Sequence, residues 1–318
     1  MLSRTPKQFA ISTKLQEHIC LLAQSQVFNE AQDLLESTMG INISAKQIQR
    51  VSESYGADLE NNIVGLIKDE AGLKEKQIDK ITYLMPDGSM IYTREEGWKE
   101  VKVGRIFHAE DVVKIQDKRS HITDSMYVCH IGECKDFFDK MEHYADRYTR
   151  KICVADGAKW IWNWASDIYP EMVQILDFFH AIEKLCDYAT VQYPDNPKQK
   201  IKWIARQKKL LLTDKVLRVI KNITMQLPSN KDARKAKEQL LCYYKNNQSR
   251  MKYGTYKREG YIIGSGAIES AHRNVIQQRM KLSGQRWTRN GAQQIINLRA
   301  HKKSNRWPEV TELIKQAA

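Results

Sequence analysis

Apolar positions recur at helical spacing through the first sixty residues of this chain. Residues 27–37 carry one apolar face with a helical period, and the sequence Met-Gly-Ile-Asn at 39–42 marks a turn after them. Segments 13–16 and 44–47 both have the spacing of a capping box, in which a hydroxyl and an amide side chain satisfy backbone groups at a helix start. The pattern predicts an N-terminal helical segment over residues 1–65, with two short helices in the outline of a helix-turn-helix.

The second of these helices carries Lys46 and Arg50, which are candidate DNA contacts. Residues 1–60 hold five basic and seven acidic side chains, a poor balance for a DNA reader. Two interpretations therefore stay open for the segment: DNA contact, or a helical module for packing or dimerisation.

Short apolar runs with strand character follow, and they predict an α/β region over residues 66–180. Helical patterns lie among the later strands, one over residues 134–150 and an aromatic one directly after Asp156. The predicted strands cover residues 80–85, 89–92, 99–107, 125–131, 151–155 and 171–177.

From residue 181 to residue 258 the pattern is wholly helical and strongly basic. A final part, residues 259–318, leads through Ile-Gly-Ser-Gly into a long predicted helix at residues 267–282. The fold class expected from this order is α/β, with a sheet core, a basic helical insertion and an N-terminal helical segment.

The distribution of charge points to a polyanionic partner. The formal net charge is +13, but residues 201–318 hold 26 basic and 7 acidic side chains, whereas residues 1–200 have a net charge of −6. A surplus of this size repels itself unless a polyanion neutralises it, and nucleic acid is the usual partner.

The expected location is the cytoplasm, with no membrane partner. No apolar run is long enough to cross a bilayer, and residues 1–7 lack the apolar core of a secretory signal. The six cysteines include no Cys-x-x-Cys pair, and the spacing of Cys129, His130 and Cys134 favours ordinary thiols over zinc ligands.

Three carboxylates are candidates for chemistry. Asp87 and Asp156 each end a predicted strand and precede a glycine, and functional groups collect at the C-terminal edge of strands in an α/β sheet. Glu269 falls in the first turn of the long helix that follows Gly-Ser-Gly. Each also has an ordinary explanation, because Asp-Gly is a common turn and an acidic residue suits a helix N-terminus.

Brought together, three carboxylates would repel one another unless a cation lay between them. Oxygen ligands without His or Cys favour Mg²⁺ or Mn²⁺. Two such ions would activate a water or a 3′-hydroxyl and stabilise the leaving oxygen in a displacement at phosphorus. The helix behind Glu269 adds Arg273 and Arg279 as candidate DNA contacts.

Five sequence blocks, taken in order, carry a family resemblance. They are Asp87-Gly-Ser, Trp98-Lys-Glu-Val-Lys-Val-Gly-Arg105, Asp156-Gly-Ala-Lys-Trp160-Ile-Trp, Asp177-Phe-Phe-His180 and Gly264-Ser-Gly-Ala-Ile-Glu269-Ser. From about residue 10 to residue 310 the chain resembles DDE transposases of bacterial insertion sequences, and among them the ISKra-type group, which is related to the Mutator-like superfamily.

The resemblance implies an RNase H-like mixed sheet core in which Asp87, Asp156 and Glu269 bind the metal ions. It also implies a helical insertion between the second aspartate and the glutamate, which agrees with the basic stretch at residues 181–258. For His180 two roles stay open: contact with the reacting phosphate or support of the triad, and a histidine that closes a strand through a backbone hydrogen bond. Relatives often have a further cysteine-bearing N-terminal segment, and none precedes residue 10 here, as expected of a truncated copy or a short variant.

Trp287 has two interpretations as well. Arg286 and Arg289 flank it, which would suit stacking on an unpaired base near a cleaved DNA end. The alternative is a core tryptophan with arginines at the surface.

The expected function is that of a transposase, which binds element ends, frees a 3′-hydroxyl by hydrolysis and transfers it to target DNA. A nuclease of the same fold and a DNA-binding remnant without activity are the alternatives. A homodimer or larger assembly is expected on the DNA, because two element ends must be paired.

Overall fold

The computed structural model describes residues 9–69, 77–116 and 119–317. The chain is a mixed α/β protein with many helices and a five-stranded mixed sheet. It divides into two compact units, which are Met1–Arg150 with Ala267–Ala318 (unit 1) and Lys151–Gly266 (unit 2). Residues 1–7, considered above for a secretory signal, lie outside the described part. Within that part, no helix is long and apolar enough to cross a membrane.

Unit 1 opens with three helices. Their bounds are α1 (Thr13–Ala23), α2 (Phe28–Met39) and α3 (Ala45–Asp69). The predicted turn is confirmed, because α2 ends at Gly40 with φ of 65°, a left-handed conformation that favours glycine. Ser44 caps α3 by accepting from the backbone N–H of Gln47 at 3.3 Å. At the first helix the predicted box is displaced by one residue, since Ser12 is the residue that caps α1.

Helix α3 is much longer than the short helix predicted, with 25 residues. Its apolar face, which includes Ile48, Val51 and Tyr55, is fully buried. Helix α13 (Arg289–Lys303) packs against it so closely that a side chain at Gly56 would overlap the backbone of Gln294. Burial along this contact stabilises α3 over a greater length than the local pattern predicts.

Strands β1 (Ile78–Thr93) and β2 (Gly97–His108) form a long antiparallel hairpin. The prediction of a strand that ends at Asp87 was therefore wrong, because the ladder runs unbroken past it and pairs Asp87 with Val103. The chain reverses instead just before Gly97, whose φ of 70° is left-handed. Twelve paired positions outweigh the local turn preference of Asp-Gly.

The remaining strands and helices of unit 1 all follow this hairpin in the sequence. Strand β5 (Met126–His130) pairs antiparallel with β2, and the small hairpin of β3 (Val112–Gln116) and β4 (Arg119–Ile122) was not predicted. The helices are α4 (Cys134–Ala145), α11 (Gly266–Ala271), which begins at the last residue of unit 2, a π-helical turn (His272–Gln277), α12 (Gln278–Met280) and α14 (Trp307–Gln316).

Unit 2 combines two parallel strands with helices. Strand β6 (Tyr148–Ala155) starts in unit 1, continues into unit 2 and pairs with β7 (Val173–Leu176). The helices are α5 (Lys159–Ile168), α6 (Phe178–Gln192), α7 (Pro197–Leu211), α8 (Val216–Met225), α9 (Lys231–Asn247) and α10 (Tyr253–Arg258). The predicted aromatic helix after Asp156 and the helical character of residues 181–258 are both confirmed.

Candidate active site

Asp87 lies in the middle of β1, with about a third of its side chain exposed (31%). Its Oδ2 atom is 2.9 Å from Nε2 of His272, a contact between residues 185 positions apart. Its Oδ1 atom accepts from the backbone N–H of Gly88 at 2.7 Å. The side chain of His272 is buried, so the carboxylate is oriented from the protein side while part of it faces solvent.

Glu269 and His272 belong to one continuous helical stretch, formed by α11, the π-helical turn and α12. Glu269 is exposed and lies one turn before His272. Residues three apart on a helix are neighbours on its surface. The contact of His272 with Asp87 therefore brings the turn that carries Glu269 next to that aspartate.

Arg105 fastens the start of the same helical stretch. Its Nη1 atom donates to the carbonyl of Ala267 at 2.8 Å, and its Nε atom donates to Oγ of Ser125 at 2.9 Å. The guanidinium is buried against the ring of Tyr127, 5.3 Å from its centroid, and this burial lowers the pKa of Arg105. The first turn of α11 is thus bonded to β2, and the next turn to β1.

The π-helical turn is supported by a second buried arginine, Arg299 of α13. Its Nε atom donates to the carbonyl of Val275 at 2.7 Å, and its Nη2 atom donates to the carbonyl of Asn274. Burial lowers the pKa of Arg299 to about 10, which leaves it charged at neutral pH. Widened turns of this kind are frequent at functional sites, and here the guanidinium satisfies the carbonyls within the turn.

Asp156 belongs to unit 2 and follows directly after β6, so its predicted place at a strand end is confirmed. Its Oδ1 atom accepts from the backbone N–H of Ala158 at 2.9 Å. Burial, and then the negative charge of Asp156, raise the pKa of Tyr243. A side chain at Gly157 would overlap the ring of Tyr243, which explains the glycine after this aspartate.

Asp177 is fully buried and holds two segments of unit 2 together. Its Oδ1 atom accepts from the N–H groups of Phe179 and His180, which caps α6, and its Oδ2 atom accepts from the N–H of Ser265 at 2.6 Å. His180 lies in the first turn of α6, with Nδ1 3.4 Å from a carboxylate oxygen of Glu183. It is therefore a helix residue and does not close a strand.

The candidate DNA contacts separate by exposure. Lys46, Arg50, Arg273 and Arg286 are all exposed. Arg279 is fully buried, so its prediction as a DNA contact was wrong.

Arg279 instead belongs to the core of unit 1. Its Nε atom donates to the carbonyl of Ala23 at 3.0 Å, and its guanidinium lies 4.8 Å from the ring centroid of Trp287. Trp287 is 6% exposed and donates from Nε1 to the carbonyl of Met280 at 3.2 Å. The structure thus shows Trp287 as a core residue, because it is buried and both its ring and its polar atom have partners inside the unit.

The donor chemistry of the three carboxylates suits a hard divalent cation. Asp87 and Glu269 supply carboxylate oxygens in unit 1, and Asp156 supplies them in unit 2. Among the residues that the structure describes, no group of three or more His, Cys, Asp or Glu side chains is placed to hold one ion.

Three residues that shape this site were missed from the sequence. The roles of His272, Arg105 and Arg299 were not predicted, because a charge pattern alone does not reveal which cations are buried. One signal was available for His272, because it stands three positions after Glu269 and so shares its helix face.

Comparison with known proteins gives a distant structural likeness. No protein-family model matches the chain, and no curated protein matches it. Among solved structures, it is similar to the strand transfer complex of the Drosophila P element transposase, with 9% sequence identity and a TM-score of 0.33 over 95% of this chain and 81% of the other. A TM-score this low does not establish a shared fold.

Proposed function

We propose that this protein is a transposase of an insertion sequence, which cleaves DNA at element ends and joins the freed 3′ end to target DNA. The observation that carries the proposal is the contact between Asp87 and His272, because it sets the turn of Glu269 beside an aspartate far away in the sequence. The order of the five sequence blocks and the basic C-terminal part support the same assignment.

In this proposal Asp87, Asp156 and Glu269 hold two Mg²⁺ or Mn²⁺ ions. When bound, the ions supply Lewis-acid activation of the attacking oxygen and stabilise the leaving oxygen. The participation of Asp156 rests on its sequence block and on its position at the end of β6.

The remaining residues of the chain bind and orient. His272 donates to Asp87 and fixes the direction of its carboxylate, and Arg105 fixes the start of the helix that carries Glu269. Arg273 is exposed on the same helical stretch, and in this proposal it contacts a DNA phosphate near the reacting one. Positioning of this kind is the main contribution that a protein makes to phosphoryl transfer.

Isosteric substitution of the carboxylates tests the proposal. Asp87→Asn, Asp156→Asn and Glu269→Gln are each expected to reduce Mg²⁺-dependent cleavage by about a thousandfold or more, because each removes a charged metal ligand. The substrate is DNA that flanks the gene's own locus, and denaturing gels resolve cleaved and joined strands.

Asp195→Asn, an exposed aspartate of unit 2, is the matched control and should keep full activity. Cleavage without joined product in the wild type would favour a nuclease. Tight DNA binding without cleavage in Mg²⁺ or Mn²⁺ would contradict the proposal and favour an inactive remnant.

A further inference from the structure

A cavity of about 690 Å³ lies within unit 2, lined by residues of α5 and α9. Gly157 is part of the cavity wall. The residue before it in the chain is Asp156, so the cavity adjoins that aspartate. Tyr243, whose pKa rises partly through the charge of Asp156, lines it too. The volume falls within the range of pockets that take small molecules or single building blocks of a polymer.

The polar groups of the cavity are cationic or neutral. Lys159 and Arg250 supply positive charge, and Asn163, Gln239 and Asn246 supply amide groups. No aspartate or glutamate occurs among the described residues that line it. Amides both donate and accept, which suits the mixed edges of nucleobases, while the cations suit a phosphate.

The guanidinium of Arg250 and the ring of Tyr243 are two flat groups that add stacking surfaces to the cavity. The guanidinium of Arg250 lies 4.6 Å from the ring centroid of Trp162, and its Nε atom donates to Oε1 of Gln174 at 2.8 Å, which fixes the plane. Trp162 is buried, whereas Arg250 is part exposed, so the guanidinium is the layer that a ligand would meet. Arginine planes and the ring of Tyr243 are both surfaces on which bases stack.

We propose that this cavity binds a single nucleotide, with its base between the amide groups and the flat surfaces and its phosphate at Lys159 or Arg250. This part of the proposal rests on the proposed function: the nucleotide is an unpaired one that belongs to the DNA substrate, and the cavity holds it next to Asp156. A free mononucleotide has the same chemistry, and the experiment separates the two sources.

Cys242 provides a direct readout, because it lines the cavity and is exposed. The rate of its alkylation by iodoacetamide is measured by mass spectrometry on the full chain, with the half-buried Cys134 and Cys186 as internal references. The probes are a single-stranded oligonucleotide, the duplex of the same sequence and a free deoxynucleoside monophosphate. Fluorescence anisotropy confirms that each DNA is bound.

The expected result is that the single strand slows alkylation of Cys242 about tenfold, while the duplex leaves it unchanged. In the double variant Asn163→Ala/Gln239→Ala, both exposed positions, the affinity for the single strand should fall about tenfold, since hydrogen bonds to the base are lost. Gln248→Ala, an exposed amide outside the cavity, is the control and should bind normally.

Unchanged alkylation with bound single strand would overturn the proposal, as would equal protection by the duplex. Protection by the free monophosphate alone would overturn the DNA strand as the source. Cleavage by the wild-type chain reports separately on the proposed function: protection of Cys242 in a wild-type chain that cleaves no DNA in Mg²⁺ or Mn²⁺ would retain the cavity proposal and reject the enzyme.

Discussion

The pair of Asp87 and His272 shows how one buried side chain orients a candidate ligand. The hydrogen bond requires the proton at Nε2 of His272, so the aspartate also sets the tautomer of the ring. One carboxylate oxygen is thereby occupied by the protein. Partners of this kind commonly tune a metal ligand without touching the metal.

Replacement of His272 tests that orienting role. His272→Ala should reduce Mg²⁺-dependent cleavage by about 10- to 100-fold and raise the Mg²⁺ concentration needed for half-maximal rate, because Asp87 loses its donor. His272→Gln retains a donor and should recover part of both. If the two variants lost the same activity with an unchanged Mg²⁺ dependence, the role would be structural only.

Acid sensitivity of unit 1 is a second expectation at the residue scale. Burial, followed by the nearby charge of Arg306, lowers the pKa of His301 to about 4, and its Nδ1 atom donates to the carbonyl of Asn297. At pH values between this pKa and the unfolded value near 6.5, His301 is protonated in the unfolded chain and neutral in the folded one. Stability is therefore lost as the pH falls through that window, by about 3 kcal/mol from this group.

Urea unfolding at pH 7 and pH 4.5 measures this loss. His301→Gln should show a pH-dependent loss that is smaller by about 2–3 kcal/mol than that of the wild type. An identical pH dependence in both proteins would exclude His301 as the source.

Helix α3 owes its length and position to close contact with α13. The contact is close at Gly56, whose carbonyl also accepts from Nδ2 of Asn297 at 3.0 Å. Glycine is unfavourable in a helix interior, but at position 56 the close backbone of α13 leaves no room for a side chain.

Two glycines of α3 make a matched pair for testing this contact. Gly56→Ala should destabilise the protein by about 2–3 kcal/mol, because the new methyl group overlaps the backbone at Gln294. Gly65→Ala, with nothing within 4 Å of the added carbon, should stabilise it by up to about 1 kcal/mol through helix propensity. Urea denaturation measures both, and equal effects would reject the packing argument.

The elements that the sequence predicted well are those with local causes. The turn at Gly40, the strand that ends before Asp156 and the helices after residue 180 follow from spacing, glycine and apolar period. The passage of β1 through Asp87 could not be predicted in this way, because it depends on pairing with a strand further along the chain. Arg279 was misjudged for a similar reason, since the aromatic rings that bury it come from other elements.

At the scale of the whole molecule, positive charge is concentrated in particular elements. Unit 2 contains 21 basic and 11 acidic side chains. On α7, four exposed cations recur at helical spacing and so share one face. They are Lys198, Lys202, Arg206 and Lys209. A stripe of this kind suits a run of backbone phosphates.

Neutralising the lysines of that stripe should weaken DNA binding. In a plot of log affinity against log salt concentration, the triple variant Lys198→Gln/Lys202→Gln/Lys209→Gln is expected to have a slope that is shallower by about 2–3, because fewer counterions are released. Fluorescence anisotropy across a salt series measures the slope.

The control variant replaces three lysines of unit 1 with glutamine and so changes the net charge by the same amount. Each of these lysines already has an acidic partner; they are Lys14, Lys135 and Lys315. Their neutralisation should leave the slope nearly unchanged. Equal slopes in the two triple variants would show that only total charge matters.

The π-helical turn has a consequence for the length of this part of the chain. Each residue in a regular helix advances the facing direction by about 100°. A π-helical turn contains about one residue more than an α-helical turn, so removing one residue from it would restore regular bonding and leave the facing direction of Arg279 nearly unchanged. The interval from Glu269 to Arg279 is ten positions here, and a homologue with a regular helix in place of the widened turn is expected to have nine.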